Sequence, residues 1–278
     1  MAKLARNYHE NTLRDQCIKD ALAAIKTVVS TEQYTLLDKL ITEDEVEEAH
    51  QRSQNLKSPG MDGFTYELWK HIHKLYKSNK GVENEQEIFN IAKLLTECFN
   101  DIQMHGIVES TDFSLGWMCP IYKKNDRNEI ANYRLITILN SDYKILTKVL
   151  ALHLAKVAPL LLHKSQAGFV PGRSIAEQTK LIEIMIDYAE ISEQNGLIIA
   201  LDQEKAYDKI AHDYLWKVFD TFGFPKSFIM LIKSLYQNAK TKVMINGHLS
   251  SPFKVTKGVR QDDPMSCLLF DLAIEPSD

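Results

Sequence analysis

Asp202 ends a short apolar run, Gly196-Leu197-Ile198-Ile199-Ala200-Leu201. A carboxylate at the end of such a run is suited to hold a metal ion or polar ligand, or to cap the helix that follows. Lys123, Lys124 and Arg134 supply flexible and forked cations of the kind that grip a polyphosphate, or else a solvated turn. Other familiar chemistries lack their motifs. There is no Gly-x-Gly-x-x-Gly, no P-loop and no Gly-x-Ser-x-Gly, so an α/β small-molecule enzyme built around Asp202 has little to support it. Cys17, Cys98, Cys119 and Cys267 stand far apart without a Cys-x-x-Cys, which suggests neither a disulfide framework nor a zinc ribbon.

The elements that must position these residues can be read from periodicity. The first forty residues read as helical, and Thr42-Glu43-Asp44-Glu45 is a capping box opening a further acidic helix. The turn formers Ser58-Pro59-Gly60-Met61-Asp62-Gly63 precede an amphipathic helix through Phe64, Leu68, Ile72, Leu75 and Tyr76. Residues 85–104 repeat that pattern through Ile88, Ile91, Leu95, Phe99 and Ile102. Residues 116–122 and 131–136 read as paired strands with Lys123 and Lys124 at the tip. A helix is expected from about Asp142 to Ala158, stopped by Pro159, and Ser174 is placed to cap another. Residues 197–202 are expected as a strand buried on both faces. Two helices split at Gly223-Phe224-Pro225 follow, then a hairpin over residues 241–256 turned by Asn246-Gly247.

The composition suits one large or two small globular domains: 278 residues, 45% hydrophobic and 25% charged. The most apolar stretch, residues 145–162, is interrupted by Lys148, His153 and Lys156, so no membrane span and no secretion signal are expected. An intracellular site, nuclear or cytoplasmic, fits. The net charge of −4 conceals an uneven distribution. Residues 117–180 carry ten Lys/Arg against four Asp/Glu, while both flanks are acidic. A basic middle of this kind could face phosphates.

With these residues in view, Leu201-Asp202-Gln203-Glu204-Lys205-Ala206-Tyr207-Asp208-Lys209, followed by His212, resembles the first catalytic motif of reverse transcriptases of LINE-type, non-LTR retrotransposons. Ser58 to Gly63 resembles that family's early fingers motif. Residues 117–139, with Lys123, Lys124 and Asn132-Tyr133-Arg134, resemble its nucleotide-clamping hairpin. Gln166 to Ser174 is similar to a further block, and Gly258-Val259-Arg260-Gln261 with Pro264 and Ser266 resembles the motif lining the nucleotide pocket. Five blocks in family order are far more specific than any one of them.

The resemblance implies an α+β right-hand polymerase copying an RNA template into DNA from a DNA primer and deoxynucleoside triphosphates. Residues 1–55 would form a helical extension, 56–165 fingers and 166–278 a partial palm. Its antiparallel sheet would include residues 197–202. Polymerisation uses two Mg²⁺ ions, one activating the primer hydroxyl and one holding the triphosphate. Asp202 would be a catalytic metal ligand, assisted by the Gln203 carbonyl. The amides of Lys205 and Ala206 would face the triphosphate, and Tyr207 would lie under the sugar and exclude a 2′-hydroxyl. Lys123 or Lys124 with Arg134 would grip phosphates, and Gln261 would contact the nucleotide. Arg260 would neutralise phosphate or pair with an acid.

Departures from the family pattern point to a truncated, inactive copy. No aromatic-Ala-Asp-Asp block follows the pocket motif, which implies an incomplete metal site and an absent thumb. Leu135, Met265 and Cys267 replace the Pro, Leu and Pro usual in relatives, and Asp262 stands where relatives carry Gly. Asp262 is expected to be a defect, since an anion about 4 Å from a phosphate at an effective dielectric of about 20 costs on the order of 4 kcal/mol. The alternatives are a non-catalytic nucleic-acid-binding remnant using the basic fingers segment, or a scaffold without chemistry. An unpaired edge at residues 197–202 would favour aggregation.

Overall fold

A computed structural model of the chain describes residues 2–79, 89–193 and 195–277. Five helices come first: α1 (Ala2–Ala24), α2 (Thr31–Asp38), α3 (Glu43–Gln51), α4 (Tyr66–Asn79) and α5 (Ile91–His105). The capping box at Thr42 forms as expected, its hydroxyl accepting from the Glu45 amide while the Glu45 carboxylate accepts from the Thr42 amide. Glu85 to Ile88, expected to open α5, lie outside the described residues.

Strands β1 (Leu115–Tyr122) and β2 (Tyr133–Leu139) pair antiparallel, with Ile121 opposite Arg134 and Tyr122 opposite Tyr133. Helix α6 (Ser141–Leu161) follows, with Pro159 in its last turn, beyond the expected stop. There the proline costs one hydrogen bond near an end that is already losing them. Arg173 supplies the missing donors, binding the carbonyls of Pro159 and Leu162. Next come α7 (Ile175–Ile191), capped by Ser174, the single turn α8 (Ala206–Lys209), α9 (His212–Phe222) and α10 (Lys226–Gln237). β3 (Lys240–Ile245), β4 (His248–Leu249), β5 (Phe253–Lys254) and α11 (Ser266–Ile274) complete the order. Asn246 and Gly247 both have positive φ, 50° and 80°, as a type I′ turn requires.

The sheet runs β2-β1-β3-β4, with β5 also on β3. It is mixed rather than antiparallel, because β3 joins β1 in parallel through Leu115↔Lys240 to Met118↔Val243. Residues 197–202 are not in it. The expected buried strand has no ladder partner and no regular structure, with Leu197 84% and Leu201 92% exposed. An apolar, β-prone run reports an affinity for a sheet, and no strand among the described residues offers it a ladder. α7 likewise buries no residue, leaving Leu181, Met185, Tyr188 and Ile191 exposed.

The core is continuous from Leu37 to Ala273 and centres on α6, where Ile145, Leu146, Val149, Leu150, Leu154 and Val157 are fully buried. α3 is fastened to α6 by Glu45, which accepts from His153 Nε2 (2.9 Å) and Lys39 Nζ (2.6 Å). Burial pushes the Glu45 carboxyl up, but its hydrogen bonds from Lys39, the Thr42 amide and His153 hold it down at about 2.

Candidate functional site

The turn into α8 begins at Lys205, whose φ of 50° lies in the left-handed region. This reversal turns the chain so that the Tyr207 and Ile210 carbonyls face residues 258–259. The Tyr207 carbonyl accepts from the Val259 amide at 2.8 Å, and that of Ile210 accepts from the Gly258 amide at 2.6 Å. His212 Nε2 lies 2.9 Å from the Gly258 carbonyl, and Ala211 bridges to Lys257. Gly258, at φ 85°, is required here, since a Cβ would lie 2.8 Å from the Tyr207 carbonyl oxygen and 2.9 Å from Asp208 Cα. Two segments fifty residues apart thus form one interlocked wall.

Tyr207 stands on that wall, half-buried, its ring edge-on to Phe270 at 4.7 Å. Burial and the contact with the Cys267 thiol raise its phenol well above the usual range, so it is neutral. Gln261 is half-buried on the same loop, and Ala206 is half-buried beside Tyr207. Gln203 and Lys205 are exposed. Lys123, Lys124 and Arg134 are exposed on the β1–β2 hairpin, where the Lys123 amide donates to the Asn132 carbonyl at 3.0 Å.

Arg260 points inward. Only 5% exposed, it donates to the Ser114 carbonyl at 2.7 Å and lies over the Tyr143 ring at 5.3 Å. Its Nε and Nη1 have no hydrogen-bond partner among the described residues. Through these contacts Arg260 fastens its loop to the start of β1.

The loop's other residues grip the first turn of α6. Lys144 Nζ donates to Asp262 Oδ2 at 2.5 Å. Asp263 is buried, its carboxyl accepting from the Met265 amide at 3.0 Å and from the Tyr143 hydroxyl at 3.4 Å. Burial pushes Asp263 up, opposed by the Met265 amide, the Thr147 hydroxyl and the Arg260 charge. Asp262 and Asp263 are thus both tied to the first turn of α6. The loop at 58–63 meets the same turn: the Asp62 amide reaches Asn140 Oδ1 at 3.5 Å, and Ser141 Oγ donates to the Phe64 carbonyl at 2.8 Å. Neither Lys144 nor Tyr143 was singled out by sequence, although a lysine in a helix's first turn among apolar neighbours signals a need for a counter-ion.

Residues 121–278 match the family model described as reverse transcriptase, RNA-dependent DNA polymerase. The chain belongs to the reverse transcriptase family. It is 32% identical over 276 residues to the transposon TX1 uncharacterized 149 kDa protein of Xenopus laevis, covering 98% of this chain and 20% of that protein. It is 24% identical over 245 residues to a retrovirus-related Pol polyprotein from the type-1 retrotransposable element R2 of Nasonia vitripennis, covering 84% and 21%. A chain of a partial Cas6-RT-Cas1–Cas2 complex aligns with a TM-score of 0.38 and 16% identity, over 75% of this chain and 33% of that one. This is a reverse transcriptase domain related to the Pol proteins of non-LTR retrotransposons, and it spans about a fifth of the length of these two curated relatives.

Such domains act on a nucleic-acid template and deoxynucleoside triphosphates and generally use a divalent metal. Among the described residues, no group of three or more His, Cys, Asp or Glu side chains could hold an ion. Asp202 is exposed on the unpaired run. This residue set does not fit a two-cation centre. Among the described residues, no helix is long and apolar enough to cross a membrane.

Proposed function

We propose that this reverse transcriptase domain contributes the nucleotide-facing wall of an RNA-directed DNA polymerase. Its fingers would lie within residues 56–165 and its partial palm within 166–278, beside a helical extension. Tyr207 lies under the incoming sugar and discriminates against a 2′-hydroxyl, Gln261 contacts the nucleotide, and Lys123, Lys124 and Arg134 grip its phosphates. The amides of Lys205 and Ala206 face the triphosphate, and Asp202 with the Gln203 carbonyl is the part of a Mg²⁺ site that these residues supply. The observation that carries this reading is the interlock of Tyr207 and Ile210 with Gly258 and Val259, which holds two motif segments in one wall. Arg260 supports the loop from behind and is withdrawn from the phosphate set.

Asp202 alone offers too few carboxylates for two cations, so the chain itself does not extend a primer on RNA with Mg²⁺. The test is equilibrium binding of dATP with Mg²⁺. Replacing Lys123, Lys124 and Arg134 together by alanine is expected to weaken binding at least tenfold, since each phosphate contact of this kind contributes about 1 kcal/mol or more. Unchanged affinity in the triple variant, or processive extension by the chain alone, would refute the assignment.

A further inference from the structure

Lys144 sits in the first turn of α6, with its side chain 7% exposed. An ammonium there is disfavoured twice, by loss of water and by the positive end of the helix dipole. It therefore needs a counter-charge, and among the described residues Asp262 is the one acid in ion-pair contact with it. The neighbouring acids are otherwise engaged. Asp142 accepts from the Tyr143 amide, and Asp263 is bound to Met265, Tyr143 and Thr147.

Asp262 has φ 74°, a left-handed conformation that most side chains resist and that Asp tolerates better than most. Asp here meets two demands at once, a left-handed backbone and a negative charge facing Lys144. The expected repulsive defect is thus a neutralised contact, and the loop it belongs to carries Gln261.

We propose that Lys144 is a positioning residue for the nucleotide pocket: its buried ammonium, paired with Asp262, holds residues 260–263 in the conformation that presents Gln261. This rests on the nucleotide-wall reading for its functional consequence, but not for the pair itself. Lys144 touches no nucleotide; it acts through the loop.

The test compares the full chain with Lys144→Met, Asp262→Asn and the double variant, Asn being chosen because it also tolerates positive φ. Asp262→Asn leaves a buried ammonium unpaired and is expected to lower Tm by roughly 5–10 °C, with the double variant recovering most of the loss. Hydrogen exchange at amides 259–263 should accelerate in Asp262→Asn while α10 is unaffected, which a general loss of stability would not produce. Binding of dATP with Mg²⁺ should weaken several-fold in Asp262→Asn, whereas an unneutralised anion beside the phosphates would make the same change tighten it. Additive Tm effects, unchanged exchange at 259–263, or tighter dATP binding would overturn the proposal. If no variant and not even the unmodified chain binds dATP, the nucleotide-wall reading fails, and the Tm coupling and local exchange still decide whether Lys144 and Asp262 act as a unit.

Discussion

Replacing Gly258 by alanine tests the interlock directly, and Gly247→Ala provides its internal control. Both glycines have similar positive φ, 85° and 80°. A Cβ at Gly247 meets nothing within 4 Å, so that variant carries only the cost of the left-handed backbone, about 1–2 kcal/mol. At Gly258 the same cost applies, and the Cβ also lies 2.8 Å from the Tyr207 carbonyl oxygen, 2.9 Å from Asp208 Cα and 3.1 Å from the Asp208 carbonyl oxygen. All three are backbone atoms, so no rotamer change relieves the overlap. The segments must part, stretching the Val259-to-Tyr207 and Gly258-to-Ile210 hydrogen bonds, each with a net contribution of about 0.5–1.5 kcal/mol. Gly258→Ala should therefore cost about 1–3 kcal/mol more than Gly247→Ala in urea unfolding. It should also weaken dATP binding, which the remote hairpin variant leaves alone. Equal destabilisation by the two substitutions would show that the Tyr207 and Gly258 segments are not in contact, and the nucleotide wall would lose its main support.

His50 provides a pH dependence. It is buried, and burial first, then the charges of His73 and Lys70, hold its imidazole near 4 against an ordinary 6.5. The unfolded chain takes up that proton more readily, so the stability is present above pH 6.5 and is lost as pH falls toward 4, by about 2 kcal/mol at pH 5. Asp142 and Asp271, raised by burial to about 6 and about 7, act in the opposite sense. The measurement is therefore the difference between the chain and His50→Leu in urea unfolding at pH 7.5 and 5; parallel behaviour of the two would contradict it. A separate expectation concerns the exposed run. Sedimentation velocity should show concentration-dependent self-association that Ile198→Lys with Ile199→Glu reduces, because an uncharged, unpaired β-prone segment seeks a partner strand. A chain that stays monomeric at high concentration would count against that account.

Local signals in the sequence were read well. The Thr42 capping box, the Asn246-Gly247 turn, the β1–β2 hairpin and the helix break at Gly223-Phe224-Pro225 each depend on residues within a few positions of one another. What depended on distant partners was not legible. The run at 197–202 has the composition of a buried strand, but composition cannot supply the neighbour that would bury it. The parallel pairing of β1 with β3 joins segments more than a hundred residues apart, and nothing in either strand announces the other. The surroundings of Arg260 are not legible in sequence, because a guanidinium serves phosphate, carboxylate or carbonyl alike. Its contacts with the Ser114 carbonyl and the Tyr143 ring come from residues far off in sequence. Asp262 illustrates a related limit of sequence: its charge is visible there, while its ion pair with the buried Lys144, inside an apolar helix, is not.

The contacts among the motif segments lie away from Asp202. The loop at 58–64, the end of β2 and the 260–263 loop all meet the first turn of α6, at Asn140, Ser141, Tyr143 and Lys144. Through Gly258 and Val259 that framework reaches Tyr207. Asp202, five residues earlier, lies outside it on the exposed run. The wall around Tyr207 and the Asp202 carboxylate are thus held by different parts of the molecule. On the proposed reading, substitutions in the first turn of α6 should change nucleotide recognition through the loops that this turn holds. Substitutions in 197–201 should change where Asp202 sits and leave the wall intact. On the proposed reading both are needed at one nucleotide, so a partner strand that buried 197–201 would change the position of Asp202 and leave the interlock of Tyr207 and Ile210 with Gly258 and Val259 in place.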